Sequence, residues 1–177
     1  MAAPDIHINE HLDTILKGAW ESNINNQSRW VIFSDLHMGD GSTKDDFKPN
    51  SELFQCALRD YYLKRNYSLM LNGDVEELQR FSLDVILKNW NPVYKLFDAF
   101  ANKNRLAKTY GNHDLQLKVQ KPPYDYKMSE ACKLSYEGDY IFIYHGHQAS
   151  KKYQLQNDLV GFTLKYFANP LRIKDYS

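Results

Sequence analysis

Cysteine is scarce in this chain: Cys56 and Cys132 are the only two, and they lie far apart. Thiolate metal centres need closely spaced pairs, and small secreted frameworks need several, so neither class fits. Free thiols in a reducing compartment are the expectation. Long apolar runs are missing as well. None approaches the ~18 residues that a membrane-spanning helix requires, and the opening MAAPDIHINEHL has no basic, long-apolar leader pattern. A cytoplasmic location is therefore expected. Charge of one sign is also lacking, since Lys+Arg and Asp+Glu both total 22. That argues against a dominant electrostatic grip on nucleic acid while leaving room for a local basic patch. What the chain does have is a 43% hydrophobic and 14% aromatic composition over 177 residues, enough for one domain with a real core.

Periodicity divides the chain into alternating elements. Asp5 is placed to cap a first helix, on which Ile8, Leu12, Ile15, Leu16, Ala19 and Trp20 form one apolar stripe. Asn23 to Ser28 is a polar connector. Trp30 to Ser34 predicts a short strand buried on both faces. A loop rich in Gly, Ser, Lys and Asp follows, then a helix capped by Ser51 and carrying Leu53, Phe54, Ala57, Leu58 and Tyr61. Tyr67 to Asn72 is the second strand. Pro92 suits the first turn of a helix capped by Asn91, with Val93, Leu96, Phe97 and Phe100 inward, and Leu106 to Tyr110 is the third strand. This order predicts right-handed crossovers and a parallel sheet, an α/β fold. Beyond the Pro-Pro loop, Cys132 to Glu137 and Tyr140 to His145 predict a hairpin turning at Gly138-Asp139. A last helix carries Leu155, Leu159, Phe162 and Tyr166. Residues 1–28 read as an N-terminal helical extension and 29–177 as the main domain.

Polar residues collect where the strands end. SDLHMGD (Ser34 to Asp40) follows the first strand, NGDVEE (Asn72 to Glu77) the second and YGNHD (Tyr110 to Asp114) the third. A fourth run, YHGHQ, closes the hairpin at His145. Steps of about forty residues between the first three fit one βαβ unit each, and open α/β sheets place ligands beyond the carboxyl ends of their strands. In an extended tail Asp35 and His37 point the same way, so both can grip one ion. Gly73 and Gly111 let the backbone turn sharply ahead of Asp74 and Asn112. Carboxylates, an amide and imidazoles at one edge suit a divalent metal.

SDLH, NGD, GNHD and HG resemble the first four signature blocks of the calcineurin-like metallophosphoesterase superfamily, over about Trp30 to Gln148. The wording SDLHMGD, with HGH closing a hairpin, is most similar to the bacterial branch containing UDP-2,3-diacylglucosamine hydrolases. The resemblance implies a sandwich of β sheets flanked by helices that holds two divalent ions, manganese or alternatively iron or zinc. Asp35 and His37 would bind the first, Asp74 would bridge both, and Asn112 and His145 would bind the second. His113 would face the scissile phosphate, oriented by Asp114. The implied reaction is hydrolysis of a phosphomonoester, phosphodiester or pyrophosphate by a hydroxide between the ions. The substrate would be small and phosphorylated, a nucleotide or a lipid precursor.

One part of the pattern is missing. The superfamily closes its site with a Gly-His-x-His block, whereas Gly146-His147-Gln148-Ala149 lacks the second histidine. A chain shortened at its C-terminal end is expected from this, and a weakly active or non-catalytic scaffold of the same fold is the alternative. Other polar residues carry plainer expectations. His147 is either solvent-facing or near substrate. Asp40, Asp45 and Asp46 belong to a solvated loop, and Glu76 and Glu77 to a helix start. His7 and His11 share a helix face without a third ligand, and Lys151 and Lys152 are solvated.

Overall fold

Three of the strand ends named above belong to one parallel sheet in a computed structural model, which describes residues 6–120 and 122–149, with side chains from Glu10 onward. The elements in order are α1 (Ile6–Lys17), β1 (Trp20–Asn23), β2 (Trp30–Phe33), α2 (Ser51–Cys56), β3 (Ser68–Asn72), α3 (Leu83–Asn89), α4 (Asn91–Ala101), β4 (Leu106–Thr109), β5 (Met128–Ser129), β6 (Ala131–Tyr136) and β7 (Asp139–Tyr144). The expected last helix (Leu155, Leu159, Phe162, Tyr166), Lys151, Lys152 and the side chains of His7 and Ile8 lie outside the described residues.

The fold is mixed α/β with two sheets. Strands β2, β3, β4 and β5 pair in that order, all parallel, because helical segments return the chain to the same edge. The second sheet runs β1-β6-β7, with β1 parallel to β6 and β6 antiparallel to β7. Alternation along β3 explains the layering. Leu69 and Leu71 face α3 and α4 and meet Ile86, Val93, Phe97 and Phe100, whereas Met70 faces Cys132 and Leu134 of the second sheet. Phe97 and Phe100 are fully buried, and truncating either to Ala costs about 3–5 kcal/mol. No helix among the described residues is long and apolar enough to cross a membrane.

Four local expectations change. Helix α1 stops at Lys17, so Ala19 and Trp20 leave its stripe. Trp20 instead opens β1, paired with Cys132, and its ring packs 6.0 Å from that of Trp30 over the inter-sheet core. The stretch read as a helical extension therefore supplies a strand. Strand β2 is not buried on both faces: Ile32 is 46% exposed, because among the described residues β2 is an edge strand and the second sheet leaves that position uncovered. The helix after Ser51 widens from Ala57 to Tyr62 into a π turn, where Leu63 N–H donates to Leu58 O at 2.9 Å. The hairpin turns at Glu137-Gly138 (φ 48° and 96°), since Tyr136 pairs with Asp139 and both turn residues must be left-handed.

Candidate metal centre

Register brings the polar loops to one place. Phe33 stands beside Leu71 and Asn72 beside Thr109, so the residues that follow β2, β3 and β4 leave the sheet together. The first two loops then zip against each other through their backbones. Asp35 N–H donates to Gly73 O (3.2 Å), His37 N–H to Asp74 O (2.9 Å) and Met38 N–H to Val75 O (2.9 Å). The third loop joins through His113 N–H, which donates to Asp74 Oδ1 at 2.8 Å.

Asp35, His37 and Asp74 are all left-handed, with φ of 55°, 47° and 52°. The tail after β2 is thus not extended, and the two side chains converge by a different route: His37 Nε2 lies 3.9 Å from Asp35 Oδ1. Non-glycine residues in this region cost of order 1–3 kcal/mol each and persist where surrounding bonds over-determine them, most often at functional sites. Gly73 is left-handed too (φ 77°), and a Cβ there would sit 2.5 Å from the His145 ring. Gly111 serves a different purpose from the expected turn. Its φ is ordinary, but a Cβ would lie 2.0 Å from Asp74 Oδ1, so only glycine lets these two loops touch.

Three imidazoles aim at one carboxylate oxygen. The Nε2 atoms of His145, His37 and His113 lie 3.2, 3.8 and 4.0 Å from Asp74 Oδ2. Each Nδ1 is occupied on its other side. His145 Nδ1 is 2.9 Å from Asn72 O, and His37 and His113 Nδ1 are 2.9 and 2.8 Å from Glu77 Oε2. Carbonyl and carboxylate oxygens only accept, so each Nδ1 carries a proton and each ring presents its Nε2 edge toward Asp74. Metal-binding histidines are held in this way. The ligand atoms form two triads that share Asp74, one with His37 and His113 and the other with Asp35 and His145. The expected first pair, Asp35 and His37, is divided between them, and His113 joins a triad. Asn112 sits partly exposed in the same turn, where its backbone O accepts from Gln79 Nε2 at 3.3 Å.

The site's field favours cations. Burial alone would pull the His145 pKa down, but the Asp74 carboxylate outweighs it and carries the pKa up to about 9. For His37 the burial penalty is likewise overcome, chiefly by Glu77, and its pKa rises. Burial would raise the Asp74 pKa, yet the histidines, His145 first, hold it below the ordinary value. Glu77 Oε1 is buried with no hydrogen-bond partner among the described residues, which marks a negative pocket ready for a positive ligand. Nitrogen and carboxylate donors in this mixture fit manganese, iron or zinc.

Two orientations differ from expectation. Asp114 does not touch the His113 ring. It is fully buried, and its two oxygens accept Val75 N–H (3.0 Å) and Gly111 N–H (2.7 Å), tying the second loop to the third. Burial raises its pKa to about 6, against the pull of Lys108. The residue that orients His113 is Glu77, because it lies three positions after Asp74, in a segment that folds back under both histidines instead of opening a helix. Glu76 is also no cap. It is fully buried and pairs with Lys108 Nζ, while Tyr94 and Tyr124 hydroxyls donate to its Oε1 at 2.8 and 3.0 Å. A lone lysine in the strand LAKT was the available sign of a buried acidic partner.

Asp45 departs from the solvated loop expected for it. It is 3% exposed, and its carboxylate accepts from Gly41 N–H, Phe47 N–H and Trp90 Nε1–H at 2.7, 3.0 and 2.9 Å, so it shapes the loop after His37. Asp40 Oδ1 accepts Ser42 N–H at 2.9 Å, and exposed Asp46 pairs with Arg80 at 3.0 Å. His147 is buried, not solvent-facing. Burial, then the neighbouring His145, lowers its pKa to about 4. His11 is exposed on α1. Set against known proteins, the chain matches no family model and no curated sequence, so geometry and chemistry carry the functional argument.

Proposed function

We propose that the chain is a metal-dependent phosphoesterase of the calcineurin-like kind, with the sandwich of sheets that this family implies. The observation that carries the reading is the convergence of three oriented imidazole Nε2 atoms on the shared carboxylate of Asp74. Asp35, His37, Asp74, Asn112 and His145 would hold two divalent ions, manganese by preference. Such ions, when bound, supply Lewis acidity toward a phosphoryl oxygen and a nucleophile at neutral pH.

The chain's own residues do the rest. Asp74, the carboxylate common to both triads, is able to serve two cations at once. Glu77 fixes the proton of His113 on Nδ1 and holds the ring against rotation. When protonated on both nitrogens, His113 is able to hand the Nε2 proton to the leaving oxygen, a contribution of about 10²–10⁴ in rate. Asp114 and Gly111 hold the loop that presents it. The substrate is a phosphomonoester, phosphodiester or pyrophosphate.

Manganese titration and hydrolysis of bis-p-nitrophenyl phosphate and p-nitrophenyl phosphate test the reading. Asp74→Asn should lose both bound metal and turnover, by more than the ~10–100-fold that changes outside the ligand set cause. His113→Ala should keep its metal and lose turnover. Activity that survives thorough chelation overturns the proposal, and a His113→Ala protein emptied of metal reassigns His113 as a ligand.

A further inference from the structure

A groove opens directly beside Asp35 and has a volume of about 480 Å³. Its walls are largely apolar: Phe33, Leu36, Phe47 and Phe54, joined by Ala57 and Tyr62 of the π turn. These rings brace one another edge to face, with Phe33 and Phe47 centred 5.0 and 5.4 Å from Phe54. They are therefore held in place before anything binds. Leu53 forms the lip and is 73% exposed. The volume falls within the range of small-molecule sites.

Charge narrows the occupant. The polar lining consists of Asp35, Asp46 and Asn50, and no lysine, arginine or histidine faces the groove among the described residues. A second phosphate or a carboxylate would meet the carboxylates of Asp35 and Asp46 and no cationic side chain, which disfavours a polyphosphate or nucleic-acid strand there. The groove also shares Asp35 with the triad formed by Asp74 and His145. A molecule whose phosphoryl group sits at that triad has the groove as its neighbouring compartment.

We infer that the groove is a substrate subsite for an uncharged, bulky apolar substituent of the phosphoester. The inference rests on the functional reading above and deepens it, because it selects apolar esters over sugar phosphates and nucleotides. Leu53 is the specificity lip. Contact with such a group removes Leu53 and the ring edges from water together, and this gain is absent for a small or charged substituent.

Non-hydrolysable phosphonates separate the possibilities. The full chain with manganese is titrated with 1-naphthylmethylphosphonate and with methylphosphonate. The naphthyl compound should bind at least about 10-fold tighter, the scale of discrimination that an apolar pocket achieves. Leu53→Glu, a change at an exposed position, should abolish that advantage and leave methylphosphonate and manganese binding unchanged. Val119→Glu, at a residue 91% exposed and outside the groove, should preserve it. Manganese and methylphosphonate binding without a naphthyl advantage, or an advantage that survives Leu53→Glu, overturns the inference alone. Failure to bind manganese and either phosphonate overturns the functional reading and this inference with it.

Discussion

The segment from Gly73 to Arg80 carries Asp74, Glu76, Glu77, Gln79 and Arg80, and all eight of its residues are buried. Strand β7 carries Tyr140, Ile141, Phe142 and Ile143, and its first half is exposed, with Ile141 at 57%. Hydropathy ranks the two segments in the opposite order. The difference comes from position in the sheets. Strand β3 is flanked by β2 and β4, so the segment following it dives between neighbouring loops and helices. Among the described residues strand β7 is an edge with one partner, β6. The buried segment tolerates its polarity because most of its groups are partnered: Glu76 by Lys108 and two tyrosines, Glu77 Oε2 by two histidines, and Arg80 by Asp46 and Lys44 O. Burial of polar groups at this density is costly and belongs where chemistry needs fixed charges.

The sharpest way to break the contrast is to unpair the buried segment. Lys108→Met leaves Glu76 charged and encased, which should destabilise the protein by about 3–5 kcal/mol in urea unfolding. Adding Glu76→Leu should recover part of that loss, although two tyrosine hydroxyls then lack their acceptor. A larger loss in the double variant would show that the tyrosines, not the lysine, are the main partners.

Next in size, Glu77→Gln keeps the shape of the segment but weakens its hold on His37 and His113. Turnover should fall about 10–100-fold with the fold intact. Asp114→Asn should instead show mainly as lost stability, since its partners are backbone amides. Reversal of these two outcomes would restore Asp114 as the group that orients His113.

A pH profile sharpens the comparison on the β7 side, just past the strand. His147 is buried with its pKa depressed from 6.5 to about 4. Between those values the unfolded chain takes up a proton that the folded chain refuses, so stability is full above about 6.5 and falls as pH drops toward 4. His147→Gln should flatten that part of the profile. The smallest effect is expected at the exposed edge: Ile141→Thr should change stability by no more than about 0.5 kcal/mol. A loss several times larger would mean that β7 is covered in solution.

Much of the framework was legible in the residues themselves. Strands β2, β3 and β4, the helix opening at Asn91-Pro92 and the hairpin were readable because apolar periodicity and Gly, Asn and Pro signals act locally. The clustering of Asp35, His37, Asp74, His113 and His145 was readable from their common place after strands. Not legible were β1, whose four residues WESN hold only one apolar side chain, and the short β5, both of which exist through their partners. The roles of Glu77 and Asp114 were also hidden. Asp114 adjoins His113 in the chain whereas Glu77 lies 36 positions from it, and nothing in that spacing says that the remote carboxylate meets the ring.

The sequence by itself determined which chemistry was possible: imidazoles and carboxylates at the ends of successive strands, with glycines where loops must touch. It did so because side-chain type and local periodicity are properties of short stretches. Only the tertiary structure decided that Asp74 is shared by two triads, that Glu77 orients His37 and His113, that Lys108 lies beneath the site paired with Glu76, and that an apolar groove adjoins Asp35. Each of these depends on distances between residues remote along the chain, set by sheet register and by the packing of helices against it.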